Sequence, residues 1–190
     1  AANVLRLTYQ TIGGAAFALI EGQRTNLVTW STDISNSAWS QATSIVTFNQ
    51  GISPDGLNNA IKVTRAGSSD FVSQPYNPAN VLNHARSIYA KTVSGTGTAR
   101  LLSFNGNTNN LFNITNEWQK FELNSYIGTG ANNLYLVDFR GTGSTLTEIL
   151  LWQPQAEVGT NATSPIFTQG SAVTRNADVI TVAPPAGTVK

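Results

Sequence analysis

The chain has no cysteine and no methionine among its 190 residues. Without cysteine there is no disulfide framework and no thiol chemistry. With no methionine even at position 1, the chain is expected to be a mature fragment or an excised domain of a larger parent. Charge is also scarce: Asp, Glu, Lys and Arg make up 11% of the residues, against roughly a quarter in an average protein. The formal net charge of +1 provides no basic face to neutralise phosphates, which argues against nucleic acid as a partner. Nor is membrane insertion expected. A bilayer-crossing helix needs about 20 apolar residues, and the longest apolar run, Ala15 to Ile20, has six. Helical periodicity is missing too, since no segment keeps an apolar period of 3.6 over three turns.

What remains is a chain rich in Asn, Thr, Ser and Gly, with 41% hydrophobic residues, too many for a disordered tail. Its apolar residues come in short β-branched and aromatic runs divided by turn signals. Strands are expected at Val4–Tyr9, Phe17–Ile20, Asn26–Trp30, Ser44–Phe48, Ala60–Thr64, Phe71–Gln74 and Arg86–Lys91. More follow at Arg100–Phe104, Leu111–Ile114, Trp118–Leu123, Leu134–Phe139 and Glu148–Trp152, with a last one in NADVITV. SPDG, with Pro54 and Gly56, reads as a turn. TDISNSAW carries the one hint of a helical turn, capped by Thr32 or Asp33. Strands at this spacing indicate an all-β sandwich or barrel. Residues 1–20 read as an arm or connecting segment hinged at Gly13 and Gly14, residues 21–182 as the β module, and residues 183–190 as a loose tail.

Reactive chemistry finds little support. The single histidine, His84 in VLNHARS, is expected in a loop or at the surface. No Ser-His-Asp constellation, GxSxG or HExxH is present, and GTGST and GTGAN lack the Lys-Ser/Thr end of a phosphate-binding loop. Paired carboxylates would suit glycoside hydrolysis. The acidic residue to inspect first is Asp138, because VDFR places Asp138 and Arg140 on one strand face, where mutual pairing is the expected fate of both. The sequence therefore points to no enzyme, no metal and no cofactor.

A series of motifs then runs in order: EGQRTNLVTWSTDISNSAW, SPDG, AIKVT, IYAK, EWQKFEL and LLWQPQAEVGTNATSPIFTQGSAVTRNADV. The series resembles a module found in bacteriophage tail fibres and tailspikes, over about residues 20 to 180. That module opens on an EGQRTNLL-type strand. It closes on a W-x-x-Q-x-E-x-G run, a T-S-x-I-x-T stretch and a G-S-x-V-T-R-x-A-D end. The resemblance implies a jelly-roll β-sandwich of two antiparallel sheets, similar to carbohydrate-binding modules. It also implies a homotrimeric tail protein of the virion that contacts host-surface glycan, capsule or lipopolysaccharide, with a structural trimerisation or capping role and an accessory role in a depolymerase as alternatives. Calcium props related folds, but SSD and SPD here supply only scattered oxygen ligands. The chain departs from the pattern at Gln153-Pro154, where a small dipeptide such as Gly-Ala is usual. It departs again at Arg86, where an apolar or aromatic residue is usual, and at Val158, often acidic.

In a jelly roll the first and last strands commonly lie side by side. Glu21, Arg24, Glu157, Arg175 and Asp178 are therefore expected to form ion pairs along one closing seam, because a guanidinium fork bridges carboxylate and backbone carbonyls. Trp39, Trp118 and Trp152 occupy positions aromatic throughout the resembled module and are expected inside, with Trp30. For a carbohydrate-binding surface this leaves Arg86, Tyr89, Arg100, Asp138 and Arg140, provided that their strands share the concave sheet. Strand parity already sets Arg86 and Tyr89 on opposite faces, so at least one of the two falls outside such a surface.

Overall fold

The computed structural model describes residues 7–9, 16–76, 83–104, 110–127 and 132–179. Among them every regular element is a strand. β1 (Leu7–Tyr9) and β2 (Ala16–Ala18) pair with each other. The expected hinge at Gly13 and Gly14 and the tail at 183–190 lie outside the described residues. Next come β3 (Arg24–Asn26), β4 (Ile45–Thr47), β5 (Ile61–Thr64), β6 (Phe71–Tyr76) and β7 (Asn83–Lys91). They are followed by β8 (Gly97–Phe104), β9 (Leu111–Ile114), β10 (Gln119–Ile127), β11 (Asn132–Asp138), β12 (Glu148–Val158) and β13 (Val173–Arg175).

Two antiparallel sheets form a jelly-roll β-sandwich. One has five strands in the order β10-β7-β12-β5-β4; the other has four, β6-β11-β8-β9. Alternation along each strand sends one set of side chains inward. Val63, Ile88, Ala90, Phe121, Ile149 and Leu151 of the larger sheet meet Val72, Ala99, Leu101, Ile114, Leu134 and Val137 of the smaller. Trp39 is buried in this core and Trp30 is half-buried against it. TDISNSAW forms consecutive turns rather than a helix, with the Asn36 amide on the Asp33 carbonyl and the Trp39 amide on that of Asn36.

Three irregularities decide which face each side chain reaches. In β12, Gln153 has φ 51°, and Gln153 and Pro154 together stand opposite the single residue Ile88. A left-handed backbone favours glycine, and Gln153 adopts it here without being one. In β8, Leu102 has φ 57°, and Leu102 and Leu136 both drop out of the pairing between Leu101↔Val137 and Ser103↔Tyr135. β10 carries a further bulge between Leu123 and Tyr126. The bulges in β12 and β10 add a residue, bend the strand and re-aim its side chains, whereas at Leu102 one residue leaves the ladder on each strand and none is added.

The closing strands differ from the sequence expectation in position. The first matched strand is Arg24–Asn26 rather than Asn26–Trp30; it pairs with Val173–Arg175, so the EGQRTN and GSAVTRNAD segments meet as a closing seam requires, while residues 176–179 of NADVITV hold no strand. The reason lies in Asn26. Its carboxamide is drawn into the bulge of β12: Nδ2 donates to the Pro154 carbonyl at 3.3 Å and to that of Ile166 at 2.9 Å, and Oδ1 accepts from the Ala156 amide at 3.1 Å. A buried polar side chain so engaged ends the regular ladder.

Candidate functional site

The two charge clusters meet. Arg24 lies opposite Arg175 in the β3–β13 ladder. Arg175 Nη1 is 3.0 Å from Glu21 Oε2 and also donates to the Ser164 carbonyl. The Glu21 amide donates to Asp178 Oδ2 at 2.8 Å, and the Asp178 amide returns a bond to the Glu21 carbonyl at 2.9 Å. Glu157, fully buried, takes the amide and hydroxyl of Thr163. Among the described residues Arg24 has no ion-pair partner. It donates to the Gln23 carbonyl at 3.0 Å and packs over Gly159. Of the five residues expected to form ion pairs, Glu21 and Arg175 pair with each other, Glu157 and Asp178 accept from N–H and O–H groups, and Arg24 serves as packing.

The five residues expected at a glycan surface do not come together. Arg86 faces the interior of the sandwich and is 1% exposed, with Nη1 on the Leu102 carbonyl of the opposite sheet at 2.5 Å. This corrects its placement at a surface: Leu102, left-handed and outside the ladder, keeps its carbonyl free for the interior, and a long cationic side chain is what reaches it. Tyr89 points outward from the five-stranded sheet. Arg100, Asp138 and Arg140 sit on the outer face of the four-stranded sheet, so the premise of one shared sheet fails. There Arg140 donates to both carboxylate oxygens of Asp138, at 2.8 and 2.7 Å, and its guanidinium lies 4.5 Å from the Phe71 ring centre and 4.4 Å from that of Tyr135. The bond to Asp138 raises the Arg140 pKa despite partial burial, with the Tyr135 hydroxyl adding to it. Arg100 donates to the carbonyls of Arg140 and Thr142. These groups satisfy one another, as expected for Asp138 and Arg140.

A different surface is less self-satisfied. On the outer face of the five-stranded sheet, register sets Trp152 beside Tyr89 and Tyr89 beside Lys120. The Trp152 and Tyr89 rings meet edge to face at 5.2 Å, and Phe167 meets Trp152 at 5.9 Å. Two crossing segments border this row. On one side, residues 163–166 run over Gln155 and Glu157, accepting from Gln155 Nε2 and from Lys120 Nζ. On the other, the β4–β5 connection reaches across Leu150 until the Ile52 carbonyl accepts the Trp118 indole N–H at 2.8 Å. Between them lies a band of Tyr89, Trp152 and Phe167, with Phe167 48% exposed and Trp118 half-exposed at its rim. Lys62, Lys91, Lys120, Glu122 and Glu148 surround it.

Sequence reasoning named Tyr89 for a binding surface and did not name Trp118 or Phe167. Trp152 is buried, but beneath the crossing segment and not between the sheets. The alternation of Tyr89 with Lys91, and of Trp118 with Lys120, is the signal that could have found the face. His84, expected at the surface, is fully buried on β7, and its even position puts it on the inward side with Arg86. Among the described residues no three His, Cys, Asp or Glu side chains cluster as metal ligands.

The fold has relatives among solved structures. The chain is similar to the CBM22-1 xylan-binding domain from Paenibacillus barcinonensis Xyn10C, at 18% identity and TM-score 0.46, over 73% of this chain and 94% of that one. It is similar to the CBM22-1-GH10 modules of Clostridium thermocellum endo-1,4-beta-D-xylanase 10B complexed with xylohexaose, at 15% identity and TM-score 0.49, over 77% of this chain and 30% of that one. It is also similar to the enzymatically active domain of tailspike protein 4 from bacteriophage CBA120, at 16% identity and TM-score 0.46, over 70% of this chain and 21% of that one. No family model and no curated protein matches the chain.

Proposed function

We propose that the chain is a non-catalytic receptor-binding module of a phage tail fibre or tailspike that adheres to host-surface polysaccharide, capsule or lipopolysaccharide. The observation that carries this reading is the half-exposed Tyr89 and the exposed Phe167, both packed on the buried Trp152 at the outer sheet face and rimmed by lysines and glutamates. Binding sites for small ligands combine aromatic walls with a few placed polar groups, and an aromatic face suits the C–H face of a sugar ring while the polar rim takes its hydroxyls. The two carboxylates at the band, Glu122 and Glu148, are each turned to a lysine, which supports adhesion over hydrolysis. The phage setting rests on the motif series from Glu21 to Asp178. In a homotrimer on the virion, three weak sites would act together with far greater avidity.

An array of bacterial capsular and lipopolysaccharide glycans tests the reading. Binding of one class is expected, lost in Tyr89→Ala and weakened in Phe167→Ala, with the unfolding temperature of Phe167→Ala close to that of the parent. Binding untouched by both substitutions overturns the site. A chain that forms trimers by light scattering yet binds no glycan is a fibre cap, and the adhesive reading falls.

A further inference from the structure

We infer that the glycan taken at this band bears a negatively charged substituent, and that Lys91 receives it; the inference rests on the reading of the Tyr89–Trp152 band as a sugar site. Three lysines project from the outer face of the five-stranded sheet around the band. Lys120 is satisfied, with Nζ 2.5 Å from Glu122 Oε1 and 3.1 Å from the Thr163 carbonyl. Lys62 faces Glu148 at 3.7 Å. Lys91 has no carboxylate partner among the described residues. Its Nζ instead stands 5.5 Å from the centre of the Trp118 ring.

Lys91 is also held in place. The Trp118 ring beneath it is tied through its indole N–H to Ile52, and its neighbour across β12 is the apolar Leu150. Lys91 is half-buried, and its ammonium stands beside the Trp118 ring. A ring face offsets part of that charge; an anion offsets it fully. Two residues along a strand from Tyr89 and on the same face, the Lys91 stem rises roughly 7 Å from the Tyr89 stem. A sugar lying across Tyr89 therefore brings a substituent of the same chain within reach of this cation. The fitting ligand is an acidic polysaccharide whose charge is a uronate carboxylate or a phosphate group.

The experiment uses the full chain and two matched probe pairs. One pair is a uronic-acid-containing bacterial capsular polysaccharide and its carboxyl-reduced derivative; the other is a phosphate-substituted polysaccharide and its dephosphorylated form. The charged member of one pair is expected to bind about tenfold or more tightly than its neutral counterpart, and rising salt should narrow the gap. Lys91→Gln should abolish the difference and Lys91→Arg should keep it; the pair that responds names the source of the charge. Equal binding of charged and neutral members, with Tyr89→Ala still losing both, overturns the role of Lys91 and leaves the sugar site standing. A Lys91→Gln loss that is the same for charged and neutral members overturns the charge recognition as well. Failure of Tyr89→Ala to alter any binding removes the site itself.

Discussion

Arg86 and Leu102 join the two sheets through the middle of the sandwich: the guanidinium of one donates to the carbonyl of the other at 2.5 Å. Arg86 heads the fully buried side chains in volume. Its truncation removes packing and leaves a turned-in carbonyl without its donor. Arg86→Ala is expected to cost about 3 kcal/mol of stability, or roughly 6–12 °C in unfolding temperature for a chain of this size. Denaturant titration followed by tryptophan fluorescence checks it; a loss within experimental error would mean that the cross-sheet bond contributes nothing net.

The seam gives a graded expectation for its two arginines. Arg175 carries the ion pair to Glu21 and two carbonyl contacts, with both pair members largely shielded from water. Arg24 makes one local bond. Arg175→Ala should therefore cost about 2 kcal/mol and Arg24→Ala less than about 1 kcal/mol. Both variants should keep whatever glycan preference the parent has, because neither lies on the aromatic band. Equal losses in the two variants, measured by urea unfolding, would contradict the assignment.

Asp70 sets a pH dependence. Burial alone would raise its pKa, but the Thr43 hydroxyl, the Gly67 and Ala66 amides and the charge of Arg65 outweigh burial and hold it below the ordinary aspartate value of 3.8. With the folded pKa lower than the unfolded one, the stabilisation is complete above the unfolded value and is lost as pH falls through the folded one. Thermal unfolding between pH 6 and pH 2 should show a fall that starts below about pH 4. Asp70→Asn, which turns an amide toward two backbone donors, should be less stable at pH 6 by about 2 kcal/mol and lose less on acidification. Parallel curves for parent and variant would refute the role of the carboxylate.

Much of the strand pattern was legible, because runs such as Leu111–Ile114 and Ile61–Thr64 alternate under their own local signals. Sheet membership was not. Whether β7 and β11 share a sheet depends on which strands pair over long stretches of chain, and no local signal near Tyr89 or Asp138 encodes that choice. Bulges hid the rest. The left-handed turns at Leu102 and Gln153 use residues with no turn signature, so neither the carbonyl that receives Arg86 across the sandwich nor the register shift after Trp152 could be read from the sequence pattern. The pairing of Asp138 with Arg140 was readable because it needs only two residues of one segment.

The adjacency of Glu21 and Asp178 has a mechanical consequence. The chain runs into the sandwich and out of it at one point, so a pull on the flanking segments does not stretch the two sheets. It acts on the end of the three-pair ladder from Arg24↔Arg175 to Asn26↔Val173 and peels it open one pair at a time, a geometry that yields at low force. Under load, the clasp would release first and leave the two-sheet body folded.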